Sequence, residues 1–593
     1  MRLIGRIVLW GFALVGLAVT LAGAGAVVAL LYFTSQGDDL PDRIVLRLDL
    51  NEKLVDGRGD GAPWRAALGV PALTLRRVVA ALDAAAGDAR VIGLSVRLGA
   101  APIGIAMAQE LRQAIARFRA GGKFALAYAQ SFDGMGDGTP EYYLAAAFDE
   151  IWMQPSGTLA LTGIALEMPF FRDALDKIGV QPDFEQRHEY KAAVEIFTRA
   201  GISRPARQSL ERVLATWMRQ ILDGIGSDRE IAATRLRKLV DRAPLLADEA
   251  RDAGLIDKLG YRDEFLAALR ENRGKRIDLS HYASSVADEG AAVALIYGTG
   301  PIEAGGDGGG LLGSRRFSAA TVAGAIAQAA RDDTVRAIIL RIDSPGGSYI
   351  ASDTVRRAVL QARKSGKTLI ASMGEYAASG GYFAAMAADK IVALPGTLTG
   401  SIGVFGGKFA TEALWRKLGV QWSRVAIGAN AGMWSAITPF QPSAAARHRA
   451  AIDAIYSDFT AKLAIDRKLA DERIDAVARG RVWTGADALE IGLVDALGGL
   501  AKALMLTREA LGLAADAPVK LVLYPPAQSP IERLRAALAS GVPLRGVLAR
   551  MLAGTQEPPI AALARWLEPV FGDLSNLRPR AGLLQLPPFR MVR

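Results

Sequence analysis

The chain has 593 residues, 51% apolar and 22% charged, with a mean hydropathy of +0.19; this excludes a disordered chain and requires two or more domains, since one domain rarely exceeds about 250 residues. It contains no cysteine and three histidines (His188, His281 and His448), which excludes disulfides, thiolate nucleophiles and a histidine-rich metal centre. A net charge of +10 and an isoelectric point near 9.6 bring in nucleic acid or an anionic membrane surface as partners to be weighed.

Residues 7–33 form an uninterrupted uncharged run. As a helix it is about 40 Å long, enough to cross a hydrocarbon core of about 30 Å with some tilt. Arg2 and Arg6 precede it, and Asp38, Asp39 and Asp42 follow. This asymmetry predicts a cytoplasmic N-terminus with the bulk of the chain exported. Ala22-Gly23-Ala24 has the small-residue character of a cleavage site. A cleaved signal sequence, however, has an apolar region of about 7–15 residues, and this run continues past Ala24. The segment reads as an uncleaved single-pass anchor.

The rest of the chain contains itself twice. Tyr142–Ile151 with Pro155 matches Tyr382–Ile391 with Pro395 at an offset of 240, and Lys177–Gln181 matches Lys417–Gln421 at the same offset. The expected layout is an anchor over 1–42, a first copy over 43–288, a second copy over 289–525 and an Arg- and Pro-rich tail over 526–593. The period is far too long for a solenoid, whose repeats run about 20–50 residues.

In the second copy, strands are predicted over Val293–Tyr297, Ala337–Ile342 and Thr368–Met373, with helices over Ser318–Arg331 and Ser352–Lys364 between them. Strand–helix–strand alternation gives a largely parallel sheet, so both copies should be α/β. Ser365-Gly-Lys-Thr368 ends like a phosphate loop, but Gln361 replaces the required glycine and the segment follows a helix instead of opening one. It reads as a helix C-terminus. Gly305–Gly310 reads as a loop, and Asp133–Gly138 lacks the ligand spacing of a calcium loop. No nucleic-acid motif is present, and neither a cofactor nor a metal is expected.

Two segments of the second copy carry chemistry. Asp343-Ser-Pro-Gly-Gly-Ser348 follows a strand directly, and paired glycines there can turn backbone N–H groups toward a developing oxyanion. Ala377-Ala-Ser379-Gly-Gly-Tyr382 is a small-residue turn from strand into helix, which places Ser379 at a helix N-terminus as a nucleophile or as an ordinary N-cap. A serine nucleophile needs a base. His188 is the one histidine near an interesting segment, and the substitute for histidine in such hydrolases is a desolvated, neutral lysine. Lys191, followed by Ala-Ala-Val, has a suitable apolar context. At the offset of 240, Ser379 corresponds to Thr139 and Lys191 to about Ala431. Each copy therefore carries one part that the other lacks, and a complete Ser–Lys site could form if the copies pack face to face.

The motifs Arg187-His-Glu-Tyr-Lys191-Ala-Ala-Val, Asp343–Ser348, Ala378-Ser379-Gly-Gly-Tyr382 and Leu398-Thr-Gly-Ser401-Ile-Gly403, in this order within a duplicated chain, resemble the signal peptide peptidase A (protease IV) family in its long form. The resemblance covers the chain from the anchor to about residue 520. It implies a tandem Clp-protease/crotonase-like fold of stacked ββα units. It also implies Ser379 as nucleophile, Lys191 as general base, Ser401 as the serine that orients the lysine, and Gly346, Gly347 and Gly380 as oxyanion positions. Such enzymes are membrane-bound bowl-shaped oligomers, tetramers for the long form, that degrade signal peptides left after preprotein cleavage. The implied location is the bacterial inner membrane with the catalytic domains on the periplasmic side, and the implied partners are peptides and the membrane. Two other readings are a crotonase-type acyl-thioester enzyme and a catalytically silent membrane scaffold.

From Pro526 to Arg593 nine Arg stand against four acidic residues, so half of the net charge lies in the last eighth of the chain. Helices are predicted over Ile531–Leu552 and Ala561–Trp566, either lying on anionic lipid or packing against a neighbouring subunit.

Overall fold

The computed structural model describes residues 40–51, 54–57, 73–99, 101–132, 138–271, 274–285, 289–305, 317–526, 583–585 and 590–592. The predicted span at 7–33, the tail helices and most of the Asp133 and Gly305 loops lie outside these residues. Among the described residues no helix is long and apolar enough to cross a membrane.

The duplication is visible in the sheet order. In the first copy six parallel strands run in the order Lys275–Asp278, Ile44–Asp49, Val91–Leu98, Phe124–Ala129, Glu150–Met153, Lys258–Leu259. In the second copy the same sequence of pairings joins Val519–Tyr524, Ala291–Thr299, Val335–Ser344, Thr368–Ala378, Lys390–Ala393 and Ala496–Leu497. These central strands read as continuous apolar runs because both faces are covered, as parallel sheets require. Small details repeat as well. Lys123 Nζ donates to the carbonyls of Asp88 and Val91, and Lys367 Nζ to those of Asp332 and Val335. Tyr142 and Tyr382 each bond a carbonyl that follows by about 110 residues, Leu255 and Leu493. Lys367, which had suggested a phosphate loop, thus pins a helix end to a strand start.

The predicted elements of the second copy are present but longer at several ends. The Ser318 hydroxyl accepts from Thr321 N at 3.2 Å and caps the helix Ala319–Arg331. The next helix begins at Tyr349 behind Ser348, not at Ser352, because the glycine pair sits in a short strand of its own, Gly346–Ser348. The strand predicted to end at Met373 runs on to Ala378 and delivers its end to the site.

The two copies share a core and a charge cluster. Ala378, Leu398 and Val482 of the second copy pack within the main apolar cluster of the first. Arg341, 2% exposed, donates from Nη2 to Asp56 Oδ2 and Glu110 Oε2, both at 2.6 Å, and from Nη1 to Ser372. Burial alone would lower the guanidinium pKa, but the Asp56 and Glu110 carboxylates outweigh it and raise the pKa. Trp217 and Gln109 of the first copy bond the carbonyl and amide of Gly396 in the second.

A third sheet crosses from one copy to the other. Gln181–Arg187 of the first copy pairs antiparallel with Val404–Ala410 of the second over its whole length. This pairing carries the first copy's Lys191 to the second copy's Ser379.

Candidate active site

Ser379 lies between the end of the Thr368–Ala378 strand and the helix Gly380–Ala385. It occupies the N-cap position, yet its hydroxyl makes no capping bond. Its backbone has φ 54° and ψ −112°, a left-handed conformation for a residue with a Cβ. Such strain costs of order 1–3 kcal/mol and persists where the surroundings over-determine it. Here Ser379 N donates to Gly400 O at 2.7 Å and Phe383 N to Ser379 O at 2.9 Å, which fixes the turn. Ser401 is held in the same way, at φ 51° with its N–H on Arg481 O at 2.6 Å.

Lys191 comes from the end of a short turn after Gln181–Arg187 and packs against Gly480 of the second copy. A Cβ on Gly480 would lie 2.4 Å from Lys191 N, and φ +87° there suits glycine alone. Lys191, Ser379 and Ser401 all have no exposed surface. Lys191 Nζ lies 2.7 Å from Ser379 Oγ, 2.8 Å from Ser401 O and 2.9 Å from Ser401 Oγ. Among the described residues no carboxylate accompanies the amine, and burial holds its pKa well below the usual lysine value.

That environment favours the neutral amine. A neutral amine has two N–H groups and one lone pair. The Ser401 carbonyl can only accept, so it takes one N–H, and the Ser401 hydroxyl takes the other. The lone pair then faces Ser379 Oγ and can accept its proton. Ser401 thus fixes the amine through two atoms, and in the neutral form this leaves the lone pair to Ser379.

The glycines surround the same point. Gly346, at φ +109°, directs its N–H to Ser344 Oγ at 3.2 Å. Gly347 packs so closely on the Ile302 strand that a Cβ would meet Ile302 O at 2.3 Å. Gly380 opens its helix, where backbone N–H groups have no intrahelical acceptor; a Cβ on it would lie 3.1 Å from Gly347 N and 2.6 Å from Ser352 Oγ. The N–H of Gly347 and the first turn at Gly380 therefore border one small space beside Ser379.

Behind this space Asp343 Oδ1 accepts from Tyr376 N at 2.9 Å and ties the glycine loop to the strand that ends in Ser379. Burial, then the Asp56 carboxylate, pushes Asp343 up to about 6. Glu375, raised to about 7 by burial and by Asp343, accepts from the N–H groups of Ala106 and Met107 across the copy boundary. Sequence reasoning passed over these carboxyls; the one available signal was Arg341, a charge inside an otherwise apolar strand. The His188 ring packs edge-to-face with Tyr456, centroids 4.6 Å apart, while its carbonyl accepts from Lys191 N at 3.1 Å; burial and then Arg479 lower its pKa.

The model of the peptidase family S49 matches residues 119–276 and 361–514, one stretch in each copy and together more than half of the chain. The chain belongs to peptidase family S49. Among its relatives, "Protease 4" of Haemophilus influenzae is 30% identical over 79% of this chain and 80% of its own length. "Protease 4" of Salmonella typhi is 33% identical over 65% of this chain, and the "Serine protease SPPA, chloroplastic" of Arabidopsis thaliana is 30% identical over 74%. The chain spans 63% and 66% of the length of those two relatives, just under two thirds.

For this S49 chain, the burial of Lys191 predicts an inverted stability effect. Its lowered pKa means that, between that pKa and the ordinary lysine value, the unfolded chain binds a proton that the folded chain does not. Folded-state stability therefore rises with pH in that window, by about 1.4 kcal/mol per pH unit, and falls as pH falls. Lys191→Met should melt above the parent at pH 7, with the gap in Tm narrowing as pH rises toward 10. A gap that is constant across this range refutes a neutral buried amine.

Proposed function

We propose that this chain is a membrane-anchored serine endopeptidase that degrades signal peptides left after preprotein cleavage, with Ser379 as nucleophile and Lys191 as general base. The observation that carries the reading is the 2.7 Å approach of Lys191 Nζ to Ser379 Oγ in a fully buried setting with no carboxylate among the described residues beside it. Lys191 takes the Ser379 proton as the hydroxyl attacks a peptide carbonyl, and Ser401 orients the lysine. The oxyanion is held by N–H groups among Gly346, Gly347 and Gly380, with Gly347 and Gly380 best placed because the Gly346 N–H bonds Ser344. The protonated amine then gives its proton to the leaving nitrogen, and water, deprotonated by Lys191, hydrolyses the acyl-enzyme.

In this proposal the layout is an anchor over 1–42, two Clp-protease/crotonase-type copies over 43–288 and 289–525, and a tail over 526–593. The uncharged run at 7–33, with Arg2 and Arg6 before it and three aspartates after it, supports catalytic copies on the periplasmic side of a bacterial inner membrane, and in this proposal the assembly is a homotetramer. The test is incubation of the purified chain, in detergent, with a synthetic signal peptide and with a folded mature protein, followed by mass spectrometry. The expected result is multiple internal cuts in the signal peptide and an intact folded protein, with Ser379→Ala as the blank. An unaltered signal peptide overturns the reading.

A further inference from the structure

The turn that presents Lys191 is gripped by three consecutive residues of the second copy. Arg479-Gly480-Arg481 stands between the helix Asp471–Val477 and the strand Val482–Thr484, which pairs antiparallel with Leu398–Gly400 directly before Ser401. Arg479 Nε donates to Glu189 Oε1 at 3.1 Å and its Nη2 to Glu189 Oε2 at 3.0 Å, a bidentate pair. The Arg481 guanidinium lies over the Tyr190 ring, 4.1 Å from its centroid. Between them Gly480 sits so close that an added Cβ would meet Lys191 N, Cα and Cβ at 2.4, 2.7 and 2.7 Å. Glu189, Tyr190 and Lys191 are thus each met by one residue of the segment.

The same segment holds Ser401, which supplies two acceptors to the Lys191 amine. Arg481 O accepts from Ser401 N at 2.6 Å, and Gly480 N donates to Ile402 O at 2.7 Å. Arg479 keeps a left-handed backbone at φ 60°, and its N–H donates to the Tyr456 hydroxyl at 3.3 Å, on the ring that packs against His188. The segment therefore carries both backbones whose separation sets the amine's contacts. Stability is a poor explanation for it, because the Arg479 and Glu189 side chains are 32% and 38% exposed, and ion pairs that open to solvent add little.

Comparison of the copies isolates these residues as it isolates Ser379 and Lys191. At the offset of 240, Glu189 and Tyr190 correspond to Ala429 and Asn430. Farther on, Asp257 and Asp495 play the same part, accepting from Ile151 N and Ile391 N. Counting back from that pair sets Asp241-Arg242-Ala243 opposite Arg479-Gly480-Arg481. Neither half of the grip recurs where there is no lysine to place.

We propose that Arg479 and Arg481, through Glu189 and Tyr190, are positioning residues that hold Lys191 against Ser401 and keep water from its amine. None of the four touches a reacting atom. The inference rests on the peptidase reading for the role of Lys191 as base, but not for its placement. Lys191 has no exposed surface, whereas Glu189, Tyr190, Arg479 and Arg481 are each partly exposed, so loosening them opens a path from solvent to the amine.

The test uses the full chain in detergent, carrying Glu189→Gln, Arg479→Met, or Arg479→Met with Arg481→Met. With a short peptide substrate, kcat should fall at least about 10-fold in the last chain while KM stays within about 2-fold, since a misplacement near 1 Å can cost about 10²-fold. Glu189→Gln added to Arg479→Met should cost little more than Arg479→Met alone, because the two side chains act as one unit. Water beside Lys191 brings its pKa back toward the ordinary lysine value, so the acid limb of kcat/KM should move up by about 1 pH unit or more. A loss of fold alone lowers Tm and leaves the limb in place. One readout needs no catalysis: the Tm gap at pH 7 between Lys191→Met and its lysine parent should shrink to about half or less when both carry Arg479→Met and Arg481→Met. An unmoved limb or an undiminished gap overturns the proposal. If the gap shrinks while the wild-type chain cleaves no peptide, the placement stands and the peptidase reading falls.

Discussion

Ser379→Ala and Lys191→Met are each expected to reduce peptide hydrolysis by at least about 10⁴-fold, with circular dichroism and sedimentation unchanged. The magnitude follows from the proposed roles: a nucleophile and its base act as a unit, so removing either should cost nearly what removing both costs, and the double variant should be little worse than either single one. The residual rate belongs to the oxyanion donors and to binding. Ser401→Ala is expected to cost less, because the Ser401 carbonyl still accepts one Lys191 N–H when the hydroxyl is gone. The pH profile of the parent separates this site from one with a surface lysine. Burial lowers the Lys191 pKa, so kcat/KM should rise through an acid limb placed well below pH 10.5 and be level above it. Ser401→Ala should move that limb, since the hydroxyl bonds the amine directly. Full turnover by purified Lys191→Met, or a limb at the ordinary lysine pKa, would remove Lys191 from the mechanism.

The sequence made some of this arrangement legible and hid the rest for a physical reason. The offset of 240 exposed the duplication because both copies keep the same apolar helix and the same turn after it, and the structure repeats the strand order accordingly. Comparing the copies also isolated Ser379 and Lys191, since a residue that core packing required would tend to recur at its equivalent position, and Thr139 and Ala431 stand there instead. What stayed hidden depends on long-range pairing. Arg341 was visible as a charge in an apolar strand, but its partners Asp56 and Glu110 lie 285 and 231 positions away. Glu375 looks like a solvent-facing residue of a turn until the first copy's helix Ile105–Ala120 is packed over it. The tail strand Leu583–Gln585 was the least legible element. Leu583-Leu-Gln has no periodicity at three residues, and its conformation is imposed by the two strands it pairs with, Gly346–Ser348 and Val404–Ala410.

Gly380→Ala should lower kcat by about 10²–10³-fold while KM changes little, the signature of a donor used in the transition state and not in the ground state. The substitution is sterically informative because Gly380 is not at a positive φ: the added methyl costs space, not backbone conformation. It would stand 2.6 Å from Ser352 Oγ and 3.1 Å from Gly347 N. The first contact is with a side chain that bonds the Ser348 carbonyl at 2.9 Å, so Ser352→Ala removes it. The second is with backbone and cannot be relieved. Two explanations of the loss therefore diverge. If the methyl acts by pushing the turn out of place, Gly380→Ala with Ser352→Ala recovers most of the activity. If it acts by covering the Gly347 N–H, where the oxyanion would sit, the double variant remains as slow as Gly380→Ala alone while regaining its Tm. We expect the second outcome. Recovery of kcat in the double variant would move the oxyanion site away from the space between Gly347 and Gly380.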